Sequence, residues 1–383
     1  MVKLGVEVLF ESERKTIHGR RVGLVSNYAM TDSRLTPVID LFLGDSDCRL
    51  VKLYGPEHGV RNSAKEGEHV DFAVDRHSGL PAYSLYGDAK KPTLAMLSGI
   101  DVLVIDLQDI GCRYYTNMNT TALCLDACAQ AGLPCVVLDR PNPIGASREG
   151  YAMPAEFASF VGMRGIPNRH GLTMGELARF HQSGMAAPVD LTVVPLKGWR
   201  RSMLFGETGL PFVSPSPNTS TPEMTLLYPG TCLFEGTNVS VGRGTGRPFE
   251  MIGAPWIDGH ALAKRFNALA APGVAARPVY FSPHDSVYAG ELCEGVQLHI
   301  TDARAIHALK TGILLLQEVA FLYAGDFRFL SVQSGARPFF DLLAGDDRLR
   351  AAIIDGAARS YLTDESEALS QFARQVRDAE LYD

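Results

Sequence analysis

DVLVIDLQD, residues 101–109, places four consecutive apolar residues, Val102 to Ile105, between Asp101 and Asp106. A run this short is a strand, and one apolar at odd and even positions alike is buried on both faces. Four more runs of the same kind stand in the first half: RVGLVSN (21–27), CRLVKLYG (48–55), CVVLDRPN (135–142) and DLTVVPLKG (190–198). Helical stretches separate them: TPVIDLFLG (36–44), TLAMLSG (93–99), TNMNTTALCLDACAQAG (116–132) and LTMGELARFHQSG (172–184), the last two carrying a Thr as candidate N-cap and closing on Gly. Strands alternating with helices predict an α/β fold, a Rossmann-like parallel sheet covered on both faces.

The chain continues well past this pattern. At 383 residues it exceeds what one core supports, and the Pro/Ser/Thr-rich PFVSPSPNTSTP (211–222) marks a boundary between a domain at 1–213 and another at 214–383. The second part holds strand-like VAARPVYFSP (274–283) and GVQLHITD (295–302), an apolar helix over 305–323 and charged amphipathic helices from 349 onward. That is a smaller α+β domain.

Composition excludes several classes. With 46% hydrophobic and 21% charged residues the chain is globular, and its net charge of −7 offers no field for nucleic acid or an anionic membrane. No apolar run reaches the length of a membrane span, so membrane insertion is not expected. Seven scattered cysteines, an odd count without C-x-x-C, read as buried thiols in a reducing compartment; with no export signal evident, the expectation is a cytoplasmic protein. G-x-G-x-x-G and the P-loop pattern are both missing, which disfavours a nucleotide-dependent enzyme.

In open parallel sheets, ligands bind beyond the carboxyl ends of the strands. That rule selects Pro56-Glu57-His58-Gly59, then Asp106, Gln108, Asp109, Arg113 and Tyr115, then Arg140-Pro141-Asn142-Pro143 with Glu149 following. A half-desolvated Glu57 would have its pKa raised toward the range of a general acid, and a second strand-end carboxylate, Glu149, completes the pair that glycoside hydrolysis requires. Asp106, Asp109 and Arg113 read equally as a structural ion pair or as substrate contacts. Tyr114 and Tyr115 offer faces for a sugar ring, Arg140 a planar fork for a carboxylate, and the segment 235–250 a glycine-rich anion site around Arg243 and Arg247. His170 precedes a T-x-x-E capping box and needs no catalytic role. No histidine or cysteine spacing suggests a metal.

The ordered set PEHG (56–59), GLPAYSLYG (79–87), DVLVIDLQDIGCRYYT (101–116), VVLDRPNPIG (136–145), REG (148–150), HGLTMGELA (170–178), SPSPN (214–218), YPGTCLFEGTNVSVGRGT (228–245) and PFEMIGAPW (248–256) resembles the NamZ-type exo-β-N-acetylmuramidases along nearly the whole chain. The resemblance implies a Rossmann-like domain and a second α/β domain with the active site between them. It implies release of N-acetylmuramic acid (MurNAc) from the non-reducing end of peptidoglycan fragments such as MurNAc-GlcNAc, without a cofactor. Carried onto this chain, it matches the carboxylates Glu57 and Glu149; their strand-end positions make Glu57 the expected acid/base and Glu149 its partner, with Glu68, Glu235 and Glu250 in reserve. The expected substrate-binding set is His58, Asp106, Gln108, Asp109, Arg113, Tyr115, Arg140, Asn142, Asn218, Asn238 and Arg243, the lactyl carboxylate falling to Arg113, Arg140 or Arg243. Gly55, Ala146, the stretch 218–222 and the loop 60–70 depart from the usual pattern, which bears on substrate preference. A non-catalytic muropeptide-binding or sensing protein is the alternative reading.

Overall fold

The computed structural model describes residues 1–63, 72–87, 89–330 and 336–383. Seven strands form the larger sheet: β1 (Arg21–Val25), β2 (Arg49–Gly55), β3 (Ala73–Val74), β4 (Pro81–Ser84), β5 (Val102–Ile105), β6 (Cys135–Leu138) and β7 (Leu191–Val194). Their order is β3-β4-β2-β1-β5-β6-β7, and every pairing is parallel except β3 with β4. All five predicted strands are present. The short β3 and β4 were not anticipated: β3 is two residues long, and GLPAYSLYG (79–87), which holds β4, has no sustained apolar run.

Alternation along the central strands explains why all their residues are apolar. Val102, Val104, Val136 and Leu138 point to one face, where they meet Val38, Ile39 and Phe42 of the helix Val38–Gly44. Leu103, Ile105, Cys135 and Val137 point to the other, against Cys124, Leu125 and Cys128 of the helix Thr116–Ala131 and Met174 and Ala178 of the helix Met174–Ser183. Each such side chain contributes about 1.5–3 kcal/mol of burial. Cys124 and Cys128 are thus core thiols.

Helix ends follow the sequence signals with one correction. Thr173 caps its helix, accepting from Glu176 N at 3.3 Å, while Glu176 Oε2 accepts from Thr173 N at 3.0 Å. Thr116 does not cap: Tyr115 holds the N-cap position, and Thr116 in the first turn turns its hydroxyl outward. Gly132 ends that helix in the left-handed region, φ +63°.

The second sheet is antiparallel, ordered β8 (Met251–Ala254), β10 (Cys293–Ile300), β9 (Val274–Phe281), with the helices Gly259–Ala268 and Ala308–Leu322 packed in the same core. Ile110, Cys112, Tyr114, Tyr115 and Ile144, all from strand-end loops of the first half, are embedded in that core too. The chain then returns: Phe372 and Val376 of the helix Glu365–Val376 pack on Met118, Ile166 and Leu172. Among the described residues, no helix is long and apolar enough to cross a membrane.

Candidate active site

β1 sits between β2 and β5, so the chain leaves it first to one side and later to the other, a switch point that opens a crevice at the carboxyl ends. Pro56 stops β2 there, and Gly59 N donates to Pro56 O at 2.9 Å to close a tight turn. The turn folds so closely that a Cβ on Gly55 would lie 2.4 Å from Val60 N. His58 is held at φ +72°, a conformation few non-glycine residues adopt and one that concentrates at functional sites.

The turn delivers Glu57 and His58 to a cleft lined also by Tyr86, Tyr115, Thr116, Phe160, Ser216, Asn218, Thr219, Tyr228, Glu235, Arg243 and Phe249. Glu57 is half-buried and accepts from Thr116 Oγ1 at 2.8 Å, beside the N-terminus of the helix Thr116–Ala131. The stretch read as a linker supplies Pro215, Ser216, Asn218 and Thr219, so it forms a wall of the cleft.

From the second half come Glu235 and Arg243. Glu235 lies in the short 3-10 turn Cys232–Gly236, accepts from Arg243 Nε at 2.5 Å and from Cys232 Sγ at 3.4 Å, and its side chain is 13% exposed. The Arg243 guanidinium stacks over Phe249 at 5.0 Å, and Phe249 meets Tyr228 edge-on at 4.6 Å. Phe249 is a second left-handed residue, φ +62°, in the lining. The cleft therefore joins two carboxylates, one arginine and an aromatic floor, a set suited to acid/base chemistry on a pyranose carrying an anionic substituent.

Glu149, expected as the second carboxylate, is placed elsewhere. It accepts from Arg169 Nη1 at 2.6 Å and from Leu309 N at 2.7 Å, with His307 Nδ1 at 3.2 Å, capping the first turn of the helix Ala308–Leu322. Burial alone would raise its pKa, but the His307 hydrogen bond and the Arg169 charge hold it down at about 2. This is a buried ion network between the two halves, and Glu149 is absent from the cleft lining.

Several expected sugar contacts are also structural. Arg113 is fully buried and donates to the carbonyls of Tyr151, Ile166, Leu343 and Ala344 at 2.7–3.0 Å. Arg140 pairs with Asp106, and its Nη2 donates to Thr31 O at 3.0 Å. Gln108 Nε2 donates to Pro141 O; Asp109 accepts from Gly111 N and is bonded to His170; Asn142 donates to Leu172 O. Asn238 ties down Asp326 and Arg328. Apart from Asn238, whose bonds are exposed, these side chains satisfy buried polar groups, which is what strand-end loops covered by a second layer require. Of the expected set, Glu57, His58, Tyr115, Asn218 and Arg243 line the cleft.

Glu235, held in reserve, lines the cleft as well, whereas Glu250 is bonded to Arg247, Thr221 and Gln297 beneath it. Glu68 lies outside the described residues. Tyr86, Thr116, Phe160, Thr219 and Tyr228 were missed; Tyr86, Thr116 and Tyr228 stood inside quoted motifs, while Phe160 carries no signal in the sequence. Among the described residues, no group of three or more His, Cys, Asp and Glu side chains is placed to hold a metal ion.

Comparison with known proteins decides the family. The models for the N-terminal and C-terminal regions of exo-β-N-acetylmuramidase NamZ match residues 22–223 and 226–382. This chain belongs to the NamZ family. It is 43% identical over all 383 residues to the peptidoglycan β-N-acetylmuramidase NamZ of Bacillus subtilis, spanning 91% of that protein. Two crystal structures of DUF1343 family proteins from Bacteroides fragilis share its fold. One has a TM-score of 0.91 at 36% identity and the other 0.80 at 29%; each comparison covers 100% of this chain and 99% of the other.

Proposed function

We propose that this NamZ-family protein is an exo-β-N-acetylmuramidase that hydrolyses the bond linking a non-reducing-end MurNAc to the next sugar of a peptidoglycan fragment. The observation that carries the reading is that Glu57 and Glu235 line one cleft together with Tyr115, Tyr228 and Phe249, each carboxylate supplied by a different half of the chain. Full-length similarity to the Bacillus subtilis enzyme supports the same activity.

In this account Glu57 protonates the departing glycosidic oxygen as the C1–O bond breaks, and Thr116 fixes the carboxyl's orientation. Glu235, ion-paired to Arg243, presents its carboxylate to the oxocarbenium-like centre at C1, and a water supplies the hydroxyl that ends there, its other proton restoring the one Glu57 gave up. Arg243 offers a directional cation to the lactyl carboxylate, while Tyr115, Tyr228 and Phe249 bear the ring. Cytoplasmic residence belongs to the same reading and rests on the odd, scattered cysteines.

Incubation of the purified protein with MurNAc-GlcNAc tests it. Free MurNAc and GlcNAc in equal amounts are expected; a disaccharide that binds and stays intact would establish a muropeptide-binding protein instead.

A further inference from the structure

A second concavity, about 1120 Å³, runs beside the cleft and shares Phe160 with it. The helix Thr116–Ala131 spans both. Its first turn holds Thr116 against Glu57 in the cleft, while Asn119, Leu123 and Asp126, further along, line the groove. The groove is therefore a continuation of the cleft, with Phe160 at the junction, its ring facing Tyr86 at 5.8 Å.

Three features indicate its occupant. Lys90, Lys91 and Arg164 give it cations: Lys90 Nζ sits 4.8 Å from the centroid of Phe160, Lys91 Nζ donates to the neutral Gln130 side chain, and Arg164 is exposed. The acidic member of the lining, Asp126, is bonded to His181 Nε2 at 2.9 Å. Asn119, 8% exposed, keeps its Nδ2 donor without a hydrogen-bond partner, and so does the Ser159 hydroxyl. A buried amide left unpaired costs stability unless a ligand oxygen meets it.

We propose that this groove binds the glycan strand on the leaving-group side of the scissile bond, and that Lys90, Lys91 and Arg164 receive the lactyl carboxylate of the next muramoyl residue along. The inference rests on the muramidase reading. A peptidoglycan strand alternates neutral and lactyl-bearing sugars, so after the first leaving-group sugar the next anionic group lies one residue further on. Cations beyond Phe160, and not only within the cleft, match that spacing of charge. Phe160 and Phe180 offer faces to the neutral rings.

The test compares MurNAc-GlcNAc with its peptide-free tetrasaccharide dimer, for the wild type and for the double variant Lys90→Ala/Arg164→Ala, at low and high salt. The wild type should show kcat/KM roughly three- to tenfold higher on the tetrasaccharide, an advantage that shrinks with salt. The double variant should lose the advantage and keep disaccharide turnover. Equal kcat/KM on both substrates in the wild type would overturn the groove assignment while leaving the muramidase intact. So would a preference for a peptide-bearing disaccharide that the double variant abolishes, since that places a peptide in the groove. Failure to release MurNAc from either substrate would refute the underlying activity instead.

Discussion

Arg169 is buried, with one terminal nitrogen on Glu149 and the other on the Ile144 carbonyl. Glu149→Ala removes the only carboxylate that faces this guanidinium among the described residues, and an uncompensated buried charge typically costs about 3–5 kcal/mol. A matching fall in unfolding free energy, read by urea denaturation, is the expected outcome; a variant as stable as the wild type would show the network to be dispensable. The sequence alone could not separate Glu149 from Glu57. Both are glutamates on strand-end loops next to a glycine or a turn, and what distinguishes them is a partner 20 residues away and another 158 residues away. Glu57 was legible because it follows its strand at once, so position on the sheet determined where it went.

Between elements, His307 is the point of contact. It precedes the helix Ala308–Leu322, with its ring between Glu149 at 3.2 Å and Glu365 at 2.7 Å, the latter opening the helix Glu365–Val376. Burial would lower its pKa, but the two carboxylates raise it to about 9. A raised histidine contributes stability that is complete below its unfolded value, near 6.5, and fades as pH rises through the folded one. For Glu149 the sign is opposite: its contribution holds above the ordinary carboxylate value and is lost as pH falls through about 2. Between pH 6.5 and 9.5 the Tm of the wild type should therefore fall more steeply than that of His307→Gln. Parallel slopes in the two proteins would contradict the assignment. Secondary structure at this scale was largely legible, because periodicity is local. The two short strands β3 and β4 escaped for the converse reason, being fixed by pairing to each other and to β2.

For the whole molecule, the fold makes one site from two halves. Arg113 leaves the end of β5 and grips the carbonyls of Leu343 and Ala344, while Tyr382 near the far terminus donates its hydroxyl to Asp139 at the end of β6. Such long-range fastening explains why the arginines divided as they did. An acidic chain was expected to gather Arg113, Arg140 and Arg243 around an anionic sugar, yet only Arg243 lines the cleft. The other two satisfy carbonyls and a carboxylate inside the covered strand ends, partnerships that span up to 231 residues and leave no local trace.

In the proposed mechanism Glu57, half-buried beside Thr116 in the cleft that Glu235 also lines, is the proton donor. That role is tested most directly by steady-state kinetics of Glu57→Gln on MurNAc-GlcNAc. A loss in kcat of roughly 10²- to 10⁴-fold is expected, with KM and Tm close to wild type, since the amide keeps the shape and gives up the proton. Wild-type kcat in that variant would contradict it.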